Sequence, residues 1–147
     1  MKAIRPWLCV GKYRDTLDQD YLRGAEIGVM LQLVETPRTP GIEALYLPIE
    51  DGQPIPPEIP ERGVRFTLAG KNEGRRVMIV CGAGLSRSVS FAIAAIKESE
   101  GRTLVEAFQE VRTHHPEALP HPVLWKSLCE RYRENVPYLT ALSSLRR

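Results

Sequence analysis

Cys81 and Arg87 close the two ends of a short loop, Gly82, Ala83, Gly84, Leu85 and Ser86, and Ser88 follows directly. These residue types at this spacing suit attack of a thiolate on a phosphate ester. A cysteine acts as nucleophile only as thiolate, which nearby positive potential favours. Successive amides from Gly82 to Arg87 can turn inward as a nest that binds an anion. A helix starting near Arg87 would add its N-terminal amides and dipole. Gly82 and Gly84 allow backbone angles that side chains resist, and Ala83 is too small to crowd an incoming phosphate. The planar fork of Arg87 can hold two phosphate oxygens at once. The Ser88 hydroxyl can donate to the sulfur and stabilise it both as attacker and as leaving group.

Such a loop needs a strand to deliver the cysteine and a helix to receive the arginine. Arg76–Val80 is apolar on successive residues, as expected of a central strand covered on both faces. Ser88–Glu100 reads as a helix ended by Gly101. The rest of the chain alternates in the same way. Trp7–Val10, Ile27–Val34 and Ala44–Ile49 read as strands. Asp18–Gly24 and Glu61–Lys71 read as helices, the latter interrupted by Gly63 and closed near Gly74. Asp51–Pro60 is a proline-rich loop. Thr103 and Glu106 form a capping box that opens a helix to about His114, and Pro122–Arg133 is a last helix, after which the tail from Tyr138 to Arg147 is expected to fray. Strands alternating with helices indicate an α/β fold, a central mostly parallel twisted sheet flanked by helices.

Composition fits one domain over residues 1–147. The length suffices to bury a core, and 43% hydrophobic and 26% charged residues are ordinary for a globular protein. A net charge of +2, with no long basic tract, gives no reason to expect a nucleic-acid partner. No stretch approaches the ~20 apolar residues of a membrane span, and Met1–Val10 lacks the apolar core of a signal peptide. The 3 cysteines, Cys9, Cys81 and Cys129, are odd in number and widely spaced. That speaks for a reducing, cytoplasmic compartment rather than a disulfide framework. His114, His115 and His121 read as cations near a helix end rather than as metal ligands, so neither metal nor cofactor is expected.

Together these residues resemble the signature of the cysteine-dependent protein phosphatases, in their compact dual-specificity branch. The chain matches that pattern at Cys81, Ala83, Gly84, Ser86, Arg87 and Ser88, and departs from it at Val80, where the family carries histidine. Trp7–Gly11 resembles the family's opening strand, Leu47–Asp51 its acid-bearing strand and loop, and the segments from Val105 and His121 its closing helices. The resemblance implies a protein tyrosine phosphatase-like fold and hydrolysis of phosphotyrosine, with phosphoserine and phosphothreonine, through a phosphocysteine. The implied partners are phosphorylated proteins or peptides, with phosphate, vanadate or tungstate as oxyanion ligands.

Cleavage also needs a group to protonate the departing oxygen. Glu50 and Asp51 both follow the Leu47–Ile49 strand, and Asp51 begins a loop, beside Gly52, that can close over a pocket. The resemblance assigns the acid to Asp51, although an Asp-Gly pair alone is also an ordinary turn. The uncharged residues Gly82, Ala83, Leu85 and Ser86 disfavour a multiply charged inositol head group. Valine at position 80 cannot hydrogen-bond, which predicts weaker thiolate support and a lower rate. It leaves a phosphate-binding pseudophosphatase with little turnover as the alternative; a cysteine in an amide-lined loop also admits a rhodanese-type sulfurtransferase as a third reading.

Overall fold

The computed structural model describes residues 1–145. A five-stranded sheet runs in the order β1-β2-β5-β3-β4, with β1 Lys2–Arg5, β2 Leu8–Lys12, β3 Ile27–Gln32, β4 Glu43–Tyr46 and β5 Arg76–Cys81. All pairings are parallel except β1 with β2. The helices are α1 Gln19–Gly24, α2 Glu58–Asn72, α3 Arg87–Glu100, α4 Leu104–His114, α5 Pro122–Tyr132 and α6 Tyr138–Ser144, with a 3₁₀ turn at Tyr13–Leu17.

The period of two along the central strands divides the core. Val77, Ile79 and Cys81 of β5 join Leu8, Val10, Val29 and Leu31 in the larger layer, packed with α3, α4 and α5. Met78 and Val80 point the other way, into a smaller cluster with Cys9, Leu22, Ile27 and Met30. Val80 is therefore fully buried on the face opposite the cysteine. This two-sided burial is the reason the strand reads as an unbroken apolar run.

Several boundaries differ from the sequence reading. The strand expected at Trp7–Val10 extends to Lys12, and β1, too short and polar to register as a strand, pairs onto its edge. The strand expected over Ala44–Ile49 ends at Tyr46, but Leu47 N–H still donates to Gln32 O and Ile49 N–H to Leu33 O. The chain thus stays extended up to Glu50 and Asp51. Gly63 does not interrupt α2. A Cβ there would lie 2.4 Å from Phe91 Cε1, so its absence lets α2 settle against α3. The tail expected to fray forms α6, anchored by the buried Ala141 and by Tyr138 Oη donating to Pro120 O at 2.7 Å. Arg146 and Arg147 lie outside the described residues. As expected, Gly101 adopts the left-handed conformation that ends α3 (φ 66°), and Thr103 and Glu106 close a capping box on α4.

Arg5, Glu100, Arg102 and Glu110 tie β1 to α3 and α4, with Arg5 donating to Glu100 at 2.8 and 3.0 Å. The hydrogen bond from Arg5, assisted by Arg102, holds the Glu100 carboxyl well down, at about 2 against an ordinary 4.5. A depressed carboxylate stabilises the fold above its unfolded-state value and stops doing so as pH falls towards the folded one. Glu100→Gln is therefore expected to flatten the loss of stability between about pH 5 and pH 2, by ~1 kcal/mol for so solvent-screened a pair. Urea unfolding across that range measures it; an unchanged slope would remove Glu100 from the acid response.

Candidate active site

The loop sits at the carboxyl end of the central strand, where open parallel sheets bind ligands. β5 ends on Cys81, whose Sγ lies 3.1 Å from Ser88 Oγ and accepts the Ser88 N–H at 3.4 Å. The residue is only 2% exposed and belongs to the larger apolar layer, yet its sulfur also meets the polar first turn of α3. Ser86 precedes α3 at the capping position, yet its side chain makes no capping hydrogen bond. The opening amides of α3 thus carry no Ser86 cap, and the Ser88 N–H among them is turned to the Cys81 sulfur, the arrangement that suits an anion.

Of the two loop glycines read as conformationally special, only Gly84 has positive φ (72°). A Cβ on it would stand 3.0 Å from Gly11 O, so the loop passes directly against β2. Gly82 serves differently: a Cβ there would lie 3.1 Å from Arg87 Nη2. Its bare backbone makes room for the guanidinium to curl back over the loop. Arg87 Nη1 donates to Ile49 O at 3.0 Å, which aims the arginine across the loop instead of out to solvent and ties it to the segment that carries the acidic pair.

Asp51 is reached from the loop itself. Ser86 Oγ donates to Asp51 Oδ1 at 2.7 Å and accepts the His121 N–H at 2.8 Å. The Ser86 hydroxyl is therefore engaged, leaving its N–H as the group it can offer an oxyanion. Among the described residues Glu50 makes no side-chain hydrogen bond, so Asp51 is the carboxylate coupled to the loop. Gly52, with φ 80°, turns the chain beneath the His121 ring, 3.3 Å from where its Cβ would stand.

The three histidines do not form the group of helix-end cations expected from the sequence. His114 is exposed at the end of α4. His121 caps α5, its Nδ1 accepting the Val123 N–H at 3.1 Å. His115 is 4% exposed, and its Nε2 lies 2.8 Å from Gly84 O. Their separation follows from the end of α4 at His114, after which His115 turns inwards beside the loop. No group of three or more possible metal ligands occurs among the described residues. No described helix is long and apolar enough to cross a membrane.

The loop carbonyls are also held. Tyr13 N–H donates to Gly82 O at 3.1 Å and Leu119 N–H to Leu85 O at 2.8 Å. Nothing in the sequence marks Tyr13, His115 or Leu119 as loop neighbours. Their contacts come from the packing of the 3₁₀ turn and of the α4–α5 connection, which no local pattern encodes.

Comparison with known proteins places this arrangement. The family model described as dual specificity phosphatase, catalytic domain, matches residues 8–134. The chain is similar to dual specificity protein phosphatase 12 of Rattus norvegicus, 33% identical over 126 residues that cover 78% of this chain and 36% of that protein. It is also similar to dual specificity phosphatase 28 of Homo sapiens, 28% identical over 138 residues, 89% of this chain and 76% of that one. It spans about a third of the length of the phosphatase 12 relatives (36%). Among solved structures, human DUSP28 superposes with a TM-score of 0.84 at 23% identity, over 90% of this chain and 96% of that one. A mouse putative dual specificity phosphatase complexed with zinc tungstate gives 0.83 at 25% identity, over 90% and 86%.

Proposed function

The chain belongs to the family of dual specificity phosphatase catalytic domains, and from that premise we propose that it hydrolyses phosphomonoesters on proteins, phosphotyrosine together with phosphoserine and phosphothreonine, through a phosphocysteine on Cys81. One observation carries the reading. The three groups meet around one short loop: the Cys81 sulfur at its start contacts Ser88 just past its end, the Arg87 guanidinium at its end reaches Ile49 O beside the acidic pair, and Ser86 within it donates to the Asp51 carboxyl. Family membership also favours this chemistry over sulfur transfer.

The reaction runs in two displacements. The Cys81 thiolate attacks phosphorus as the bond to the ester oxygen breaks. Asp51 gives its proton to that oxygen, so the product leaves as an alcohol or phenol. Arg87 and the loop N–H groups hold the equatorial oxygens, stabilising charge where it builds up. Water then attacks the phosphocysteine, losing a proton to Asp51. The sulfur departs as thiolate, supported by the Ser88 hydroxyl and N–H, and phosphate is released. The substrate's phosphate sits among groups already in place, and this positioning supplies much of the rate.

Asp51→Asn tests the acid. Esters of p-nitrophenol, a good leaving group, should lose little, whereas phosphoserine and phosphothreonine peptides should slow by roughly 10²-fold or more. Equal losses on both classes would take Asp51 out of the role. Turnover of p-nitrophenyl phosphate and phosphotyrosine peptide by the unmodified chain, inhibited competitively by tungstate, is the direct test; no turnover of any phosphomonoester overturns the hydrolase reading. Val80 favours a second reading, a phosphate-binding protein with little turnover. Its side chain is buried in the apolar cluster with Met78 and supplies no hydrogen bond beside Cys81. Tungstate binding without hydrolysis would select that reading.

A further inference from the structure

We propose that His115 is a positioning residue for the oxyanion loop, fixing the peptide plane between Gly84 and Leu85 so that the Leu85 N–H faces the bound phosphate. The inference rests on the reading of residues 82–87 as an oxyanion cradle.

It starts from the planarity of the peptide. In a trans peptide the C=O and the following N–H point in opposite directions, and the described chain has no cis bonds. Holding a loop carbonyl away from the cradle therefore turns the next N–H into it. The structure holds such carbonyls from outside the loop at Gly82 by Tyr13 N–H, at Gly84 by His115 Nε2, and at Leu85 by Leu119 N–H. These contacts aim the amides of Ala83, Leu85 and Ser86. Two of the tethers are backbone groups. Only the Gly84 tether belongs to a side chain.

That side chain is costly for any other purpose. His115 is 4% exposed and its Nδ1 is buried without a partner. An unpaired buried polar atom destabilises a fold by about 1–3 kcal/mol, which an apolar residue of similar volume would avoid. What the imidazole contributes in return is its one hydrogen bond. A carbonyl can only accept, so Nε2 carries the proton and donates to Gly84 O. The receiving peptide is the one most in need of a tether. Gly84 has a φ of 72°, and a glycine with free backbone can rotate this plane and withdraw the Leu85 N–H. Val80, at the residue before Cys81, packs on the opposite face of the sheet, so the loop receives an imidazole contact from His115, just after α4, instead.

The experiment compares His115→Leu, which removes the donor, with His115→Gln, whose Nε2 can take the place of the ring Nε2. Tungstate affinity, kcat and KM on p-nitrophenyl phosphate, and thermal unfolding are measured for each. His115→Leu should weaken tungstate binding and lower kcat by roughly 10- to 100-fold, since one misplaced oxyanion donor is worth about 10²-fold or more when lost entirely. His115→Gln should recover most of both. Equal tungstate affinity and kcat in the two variants and the parent would overturn the proposal, as would a loss that Gln does not relieve in a variant that unfolds at the parent's temperature. If the leucine variant does not fold, nitrogen NMR of the parent decides: an Nε2–H tautomer with a slowly exchanging proton supports the tether, and an Nδ1–H tautomer refutes it. Failure of the parent itself to bind tungstate would strike the cradle reading, not the role of His115 within it.

Discussion

Cys81→Ser should reduce phosphomonoester hydrolysis by on the order of 10⁴–10⁶-fold, the loss seen when a catalytic nucleophile is removed, while tungstate still binds. Both halves of that result follow from the site. Serine differs from cysteine by one atom, and the residue stands at the end of a buried strand where the smaller oxygen fits without disturbing β5. The loop carbonyl tethers and the Arg87 contact to Ile49 O do not involve the sulfur, so the cradle persists. What would be lost in the proposed mechanism is the nucleophile: an alcohol near neutral pH is a far weaker attacker than a thiolate, and among the described residues Cys81 has Ser88 as its side-chain hydrogen-bond partner and no general base. Steady-state assays on p-nitrophenyl phosphate and on a phosphotyrosine peptide, with tungstate binding followed by calorimetry, measure both. A serine variant within about 10²-fold of the parent rate would show that the sulfur does not form the intermediate.

The second large effect is expected at Arg87. Arg87→Lys keeps the charge but loses the planar fork. The arginine in this structure already spends Nη1 on Ile49 O and lays Nη2 over Gly82. A lysine has one ammonium group for all of these duties and cannot both hold the Ile49 carbonyl and span two phosphate oxygens. We expect kcat to fall by roughly 10²–10³-fold, as when a preorganised charge-stabilising donor is removed, with a smaller change in KM, because the proposed mechanism has the fork act on the charge developing at the equatorial oxygens. A lysine variant that changed only KM would demote Arg87 to ground-state binding. The expected pair of outcomes also separates the roles: Cys81→Ser removes turnover and spares the anion, whereas Arg87→Lys weakens both.

The departure at position 80 gains its physical meaning here. From the sequence, valine before the cysteine is a missing hydrogen-bonding group and predicts a poorly supported loop. In the fold, alternation along β5 sends that side chain into the Met30 and Met78 cluster, and the loop is instead braced at Gly82, Gly84 and Leu85 from the 3₁₀ turn and from the segment after α4. Ser86 is a similar case. As a member of the loop it reads as a phosphate-facing residue, yet its hydroxyl bridges Asp51 and His121, 35 residues away on either side.

The amino-acid order alone was enough to specify the α/β layering, the strand that carries the cysteine, the helix that follows it and the residue types of the loop. All of these rest on short-range physics: a continuous apolar run where both faces are covered, glycines where the backbone turns, a capping box at Thr103 and a stop at Gly101. Packing alone decided which group touches which. The sequence separations of 31 from Gly84 to His115 and of 38 from Ile49 to Arg87 are bridged by contacts that depend on how α4 and the β4 extension settle on the sheet. A local pattern encodes backbone angles and a buried face; it carries no record of the distance to a side chain from another element, and the tethers of this loop are made of such distances.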